Sequence, residues 1–367
     1  MNSLRDIVEL SPQLCVNEAA QPLAPPRWDW RDVRKVLLIR LRSIGDTVLA
    51  TPSLFALKRF LPNAEIDMLV EDWVAPLLDN HPRINKVVTL ERNGFVARAR
   101  VARELRSAGY DVVYNLHGGT TATFLTRATG ARHRVGFKTY QYAQLHNHQA
   151  PSPLLLWQQQ KTHSVEQQLA LLGWTGVPVT DRPRTELGVS PAAAVTVDRQ
   201  IAVAGLSARR LALIHPAAAF ATKQWATENF ARVIEFLAER GFASVAIAAP
   251  HEKEILKNLT AQSSAPVVSL ELSLPEVTAL AARSHLFVGN DSGIAHIAAA
   301  VGTPSVVIFG SSNIAHWRPW NRAGAEVVFE EMPCQPCHGY FCEKFAQPEC
   351  ILRVPVARVT AAIERVL

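Results

Sequence analysis

The 367-residue sequence has no apolar run long enough to span a bilayer. Its longest apolar stretch, residues 294–309 (IAHIAAAVGTPSVVIF), is broken by His296, Gly302 and Pro304 and falls short of the roughly 20 residues a spanning helix needs. Residues 1–34 hold Asp6, Glu9, Glu18 and four prolines but no basic stretch leading into an apolar one, so no secretory signal is expected and the protein reads as cytoplasmic. No G-x-G-x-x-G follows a strand-like run, and G-x-x-x-x-G-K-S/T is absent, which removes most of the support for dinucleotide and P-loop classes. Runs of Lys and Arg interleaved with aromatics are also missing, so nucleic acid is not an expected partner. Cysteine is scarce: Cys15 stands alone, and the other four lie between residues 334 and 350.

What is present describes a folded two-domain chain. Hydrophobic residues make up 48% and charged residues 19%, with 18 Gly and 23 Pro, an ordinary globular composition. The length suits two domains, each able to bury its own core. A formal charge of +6 favours anionic partners in general and singles out none.

Residues 35–41 (KVLLIRL) form a short, nearly continuous apolar run, the pattern of a strand buried on both faces. Helix-like and strand-like segments then alternate: helix 46–60, strand 64–70, helix 72–79, strand 86–90, helix 94–108 and strand 110–116. A second series starts at 210–215 (RLALIH), with strands near 243–249, 266–270, 285–289 and 304–309 and helices between them. Such alternation predicts βαβ units and parallel sheets. Between the series, residues 174–209 are rich in Gly and Pro and read as a linker. The expected division is a tail at 1–34, one domain at 35–180 and another at 181–367. The fold class is α/β, with two doubly wound Rossmann-type domains facing across a cleft.

In such sheets ligands gather outside the carboxyl ends of the strands, which directs attention to three loops. The first, residues 40–51 (RLRSIGDTVLAT), offers Gly45 for a tight turn and Asp46 at the helix start, either as a helix cap or as a functional carboxylate. In the second, residues 215–225 (HPAAAFATKQW), Lys223 stands just before a helix, where a cation reaches a phosphate or simply faces solvent. In the third, residues 288–301 (VGNDSGIAHIAAAV), Asp291 and Ser292 are able to cap the helix and Gly293 lets a ligand approach the backbone. His296 lies one turn further along, as a hydrogen-bond donor to a ligand or a satisfied buried histidine.

Taken together, Ile44-Gly45-Asp46-Thr47, His215-Pro216-Ala217-Ala218, Thr222-Lys223-Gln224-Trp225 and Asp291-Ser292-Gly293 with His296 resemble, in order, motifs of the ADP-heptose lipopolysaccharide heptosyltransferases, glycosyltransferase family nine. Ala217 stands where that family frequently has glycine, and no small polar residue is found near Ala219. The resemblance implies a GT-B architecture, with acceptor on the N-terminal domain and nucleotide sugar on the C-terminal one, and transfer with inversion that needs no metal or other cofactor. It implies Asp46 as general base, and Lys223 with the N–H groups of Ser292 and Gly293 as stabilisers of the departing diphosphate. Asp291 and His296 would orient the donor, and Glu254, or Glu252 in its place, would contact the nucleotide. The implied partners are an ADP-sugar donor and a lipopolysaccharide-core or similar glycolipid acceptor, with peripheral contact at the inner membrane face. A sugar-nucleotide epimerase of the same architecture is the competing enzyme reading, and a basic nucleic-acid-binding protein the competing reading outside enzymes.

The spacing C-x2-C-x4-C-x7-C of Cys334, Cys337, Cys342 and Cys350 fits a structural Zn2+ or iron site, with disulfides or free thiols as the other reading; His338 is a further candidate ligand. Arg40, Arg42, Lys58 and Arg59, and Arg98, Arg100, Arg103 and Arg106 on one helix, either meet an anionic lipid or form solvated faces. Trp28 and Trp30 either anchor the tail at a membrane or pack on the first domain.

Overall fold

The computed structural model describes residues 19–92, 94–320, 324–337 and 340–367. It divides into two compact units, Met1–Gly188 and Val189–Leu367, and the division falls within the Gly- and Pro-rich stretch 174–209.

The first unit carries strands β1 (Lys35–Ile39), β2 (Glu65–Glu71), β3 (Lys86–Leu90), β4 (Val112–Asn115), β5 (His133–Phe137) and β6 (His148–Ala150). Its helices are α1 (Ile44–Val48), α2 (Thr51–Phe60), α3 (Phe95–Ser107), α4 (Thr120–Ala128), α5 (Pro153–Trp157) and α6 (Ser164–Trp174). The six described strands run parallel in the order β3-β2-β1-β4-β5-β6. Leu37, Ile39, Leu69, Val88 and Val113 of the sheet pack with Val101 and Leu105 of α3 and Leu125 of α4. The apolar continuity of β1 thus reflects helices on both faces of the sheet.

The second unit repeats the plan. It has strands β7 (Arg210–His215), β8 (Phe242–Ile247), β9 (Val267–Leu270), β10 (Leu286–Asn290), β11 (Ser305–Phe309) and β12 (Ala325–Phe329). Its helices are α7 (Pro191–Val203), α8 (Thr227–Glu239), α9 (Lys253–Gln262), α10 (Leu274–Arg283), α11 (Gly293–Ala300), α12 (Ile314–Trp317), α13 (Glu349–Leu352) and α14 (Val356–Val366). The strand order is β12-β11-β10-β7-β8-β9, again parallel. One core cluster joins Ile214, Val288 and Ile308 of the sheet to Trp225, Phe230 and Ile234, and to Ile351, Val359 and Ile363 near the C-terminus.

In each sheet the chain works outward from its first strand, then returns to build the other half. The reversal lies between β1 and β4 in one unit and between β7 and β10 in the other. Doubly wound sheets bind ligands at this switch point, and the three loops singled out above all leave strands that flank one of the two.

Three details depart from the expected elements. The helix expected over 46–60 is two helices, because Pro52 sits in the first turn of α2 and has no N–H with which to continue the ladder of α1. Residues Asp72–Leu78 are a 3-10 helix containing Pro76. Trp28 and Trp30 pack on the first unit: Trp28 stacks on His133 with ring centroids 4.8 Å from Trp30 and 4.3 Å from His133, and the Trp30 indole donates to the Thr175 carbonyl at 3.0 Å. Among the described residues no helix is long and apolar enough to cross a membrane.

Candidate functional site: two switch-point loops

At the carboxyl end of β1 the chain turns into α1 with Ser43 as N-cap. Asp46 is therefore not the cap itself but the third helical residue of a capping box, and its Oδ2 accepts from the Ser43 N–H at 3.2 Å and the Ser43 hydroxyl at 3.4 Å. Its other oxygen, Oδ1, is ion-paired with Arg40. Arg40 in turn donates to the Leu116 carbonyl at 2.5 Å, so one guanidinium links the ends of β1 and β4 and holds the carboxylate at the switch point. The Arg40 Nε is buried without a partner.

The loop after β4 is shaped by Asn115, which is fully buried. Its Oδ1 accepts from the N–H groups of His117 and Gly118 at 3.1 and 2.9 Å, and its Nδ2 meets Thr123 Oγ1 and His146 Nε2, each at 3.2 Å. Gly118 has φ +77°, and a Cβ there would lie 2.5 Å from the Tyr140 ring, so only glycine suits the turn. Burial pushes the His117 imidazole down to about 4, with Arg40 acting in the same direction and Asp46 against it. His117 is thus neutral at physiological pH.

In the second unit, Asn290 plays the part of Asn115. Its Nδ2 donates to the Pro216 carbonyl at 2.8 Å and its Oδ1 accepts from the Trp225 N–H at 3.1 Å. The loops after β7 and β10 are thereby bound to each other. The Trp225 indole is fully buried and donates to the Val354 carbonyl at 2.9 Å, which fixes the chain two residues beyond Lys223. Lys223 reaches across to Asp291, with Nζ 2.9 Å from Oδ2. Asp291 is buried while Lys223 keeps part of its surface open. Ser292 is the N-cap of α11, and its hydroxyl lies 3.2 Å from His215 Nδ1. His215 is pushed down to about 4 by burial, so it too is neutral.

The first N–H groups of α11 lack partners within the helix and carry its positive dipole end. With the Lys223 ammonium beside them, the arrangement suits a phosphate group. Lys223, Asp291, Ser292 and Gly293 are brought together here, and His296 is buried within α11.

Glu254 is placed differently. It is exposed on α9 and pairs with Lys257 at 2.5 Å. Glu252 is the more enclosed of the two carboxylates, and its Oε2 accepts from the Ala249 N–H at 2.9 Å. Two residues that motif reading passed over also belong to this site. Ser311 and Ser312, just past β11, are buried and bond to Thr222 and Asp291 respectively. Two serines after a strand are too common a pattern for spacing to expose them.

The expected metal centre is not shown. Cys334, Cys337, Cys342 and Cys350 are free thiols, and among the described residues no group of three or more His, Cys, Asp or Glu side chains is arranged to hold a metal ion. The Cys337 thiol turns onto the Cys334 carbonyl at 3.0 Å, and Cys350 is buried in α13. Burial, followed by its cysteine neighbours, pushes the Cys350 thiol up to about 11, and Cys337 is raised for the same reasons. Cys15 and His338 lie outside the described residues. The arginine-bearing face of α3 is partly neutralised, with Arg100 paired to Glu91 and Lys86 to Glu104, as on a solvated surface.

Two parallel doubly wound units, each with polar side chains converging on its switch point, define an α/β protein of two Rossmann-like domains, the architecture of the sugar-nucleotide transferases. Residues 98–345 match glycosyltransferase family 9 (heptosyltransferase), and the chain belongs to that family. It is 29% identical over 350 residues to a lipopolysaccharide heptosyltransferase 3 of Escherichia coli, covering 89% of this chain and 97% of the relative. The fold is similar to that of a family 9 glycosyltransferase from Veillonella parvula (TM-score 0.77, 21% identity, 91% and 97% of the two chains). It is also similar to the E. coli ADP-heptose lipopolysaccharide heptosyltransferase II (TM-score 0.74, 23% identity, 90% and 98%).

Proposed function

We propose that the protein transfers a heptose, with inversion, from an ADP-sugar to a lipopolysaccharide-core acceptor, the first unit binding acceptor and the second donor. The observation that carries this reading is the Lys223–Asp291 pair at the amino end of α11, a cation beside a helix dipole, which is the combination that would stabilise a diphosphate gaining negative charge as it departs. The relatives, a lipopolysaccharide heptosyltransferase 3 and an ADP-heptose lipopolysaccharide heptosyltransferase II, support heptose, ADP and the lipopolysaccharide core.

The acceptor hydroxyl attacks the anomeric carbon and gives its proton to Asp46, while the bond from that carbon to the β-phosphate oxygen breaks and its electron pair leaves with ADP. Oδ1 of Asp46 is engaged by Arg40, and the longer contacts of Oδ2 make Oδ2 the oxygen that takes the proton. Neutral His117 beside them adds no positive charge to compete for the carboxylate. Lys223 and the N–H groups at Ser292 and Gly293 meet the developing charge, so the chain's own cations perform what a metal ion would. Asp291 orients Lys223, His296 contributes to the donor side, and Glu252 suits a nucleotide contact better than Glu254. The lipid acceptor would bring this cytoplasmic enzyme into peripheral contact with the inner membrane face.

The test is release of ADP from ADP-heptose, followed with and without a truncated lipid A–Kdo acceptor, in native protein, Asp46→Ala and Lys223→Ala. Acceptor-dependent release that falls by about 10²-fold or more in both variants supports the reading. Release that ignores the acceptor would favour an epimerase, and no release at all would remove heptosyl transfer.

A further inference from the structure

We propose that Ser312 is a positioning residue for the donor diphosphate: it sets how tightly Asp291 holds Lys223, and Ser311 with the segment 335–337 braces it in place. The proposal rests on the reading of Lys223 given above and assigns a role to residues outside the family motifs.

β11 runs beside β10, with Asn290 opposite Ile308, and the Asp291 N–H donates to the Ile308 carbonyl at 2.9 Å. The turn that leaves β11 therefore passes next to Asp291. There the Ser312 hydroxyl donates to Asp291 Oδ2 at 2.5 Å, and this is the same oxygen that receives the Lys223 ammonium at 2.9 Å. A carboxylate oxygen that already accepts an O–H has less negative charge to offer a second donor. The ammonium carries three N–H groups and must keep some of them available for phosphate oxygens. Without the hydroxyl, Asp291 would draw Lys223 in more strongly and away from the ligand.

Ser311 secures the other half of the pair. Its hydroxyl donates to Thr222 Oγ1 at 2.9 Å, and its N–H to the Thr222 carbonyl at 3.2 Å. Thr222 immediately precedes Lys223. Two consecutive serines thus grip both sides of one ion pair, one through the aspartate and one through the lysine's chain neighbour.

The turn is itself held from behind. Gln335 Nε2 donates to the Gly310 carbonyl at 2.6 Å, and the Cys337 N–H to the Ser311 carbonyl at 2.8 Å. The cysteine-bearing segment therefore braces the donor site through its backbone and one amide side chain, a role that its thiols need not share. Gly310 completes the contact, since a Cβ there would lie 2.2 Å from the Thr222 carbonyl oxygen.

The experiment is calorimetric titration of the full chain with ADP and with adenosine, alongside kcat and KM for ADP-heptose, in native protein, Ser312→Ala, Ser312→Thr, Gln335→Ala and Lys223→Ala. Ser312→Ala should weaken ADP by about fivefold to tenfold, less than the full worth of a hydrogen bond to a charged group, because the bond lost is to Asp291 and reaches ADP only through Lys223. Its adenosine affinity should change less than about twofold, because only the diphosphate senses Lys223. The kcat should fall with it, Ser312→Thr should restore both values, and Gln335→Ala should shift ADP in the same direction by less. Equal losses for ADP and adenosine would mean general distortion and overturn the proposal. So would unchanged ADP affinity in Ser312→Ala while Lys223→Ala loses it, an outcome that leaves the donor-site reading standing. Unchanged ADP affinity in Lys223→Ala would instead overturn that reading.

Discussion

Asn115 and Asn290 occupy the same place in the two sheets. Each is the last residue of the strand beside its unit's first strand, each is fully buried, and each turns its amide onto the loops at the switch point. A primary amide offers donor and acceptor from one short side chain, which is what two adjacent loop backbones require.

Replacing Asn290 by Ala should leave the Trp225 N–H and the Pro216 carbonyl buried and unpaired, at about 1–3 kcal/mol each. The expected result is a lower thermal midpoint for the second unit together with weakened ADP binding. Differential scanning calorimetry checks it, and a midpoint within a degree of native would contradict it.

Asp46→Asn keeps a side chain that can still accept from Ser43 but cannot take a proton at neutral pH. Turnover should drop by about 10²- to 10⁴-fold, while loss of the charge facing Arg40 costs about 1–3 kcal/mol of stability. Turnover close to native would remove Asp46 as the base.

His215 has a folded pKa of about 4, against 6.5 for an ordinary imidazole. Between those values the unfolded chain binds the proton more readily, so the folded state loses stability as pH falls through 6.5, and the loss is complete below about 4. The difference of 2.5 units corresponds to at most ~3 kcal/mol. Unfolding in denaturant at pH 7 and pH 5 should show native protein losing about 2 kcal/mol more than His215→Asn. Parallel losses in the two proteins would count against this placement of His215.

Cys350 is buried, and its pKa of about 11 leaves on the order of one thiol in a thousand ionised at pH 8. Iodoacetamide should modify it far more slowly in the folded protein than in urea, as peptide mass mapping would show. Equal rates in the two conditions would refute the buried placement.

Gly310→Ala places a methyl group against a backbone oxygen, with no flexible side chain to yield. A stability loss of about 1–3 kcal/mol should accompany weaker ADP binding, because the Thr222 carbonyl can move only with its neighbour Lys223. A variant that binds ADP as native does would show that the turn relaxes without disturbing the site.

The parts of the fold most legible in sequence were the strands buried on both faces. β1, β7 and β10 read as apolar runs because they lie in the middle of their sheets. β5, β6 and β12 did not: His133–Phe137 and His148–Ala150 are short and half polar, and Ala325–Phe329 is mostly half-buried. Pro52, in the first turn of α2, carries the signal that divides the helix expected over 46–60. The loops that hold Asp46, Lys223 and Asp291 were legible because each joins a strand end, a glycine or helix cap, and a charge. Ser311 and Ser312 had no such company and reach the site only through the register of β11 on β10. The cysteine spacing anticipates neighbouring thiols, and Cys334, Cys337 and Cys342 lie near enough to Cys350 to raise it; spacing does not give their arrangement, and among the described residues no group of three or more is set to hold a metal ion.

The family match stops at residue 345, but the core does not. Ile351, Val354, Val359, Ala362 and Ile363 lie in one cluster with Trp225 and Phe230, and the Trp225 indole spends its single donor on the Val354 carbonyl. The unit recognisable by inheritance is therefore shorter than the unit that can fold. A chain cut at the homology boundary would leave a tryptophan beside the donor loop half wrapped, and a soluble, well-behaved fragment should be sought only beyond α14.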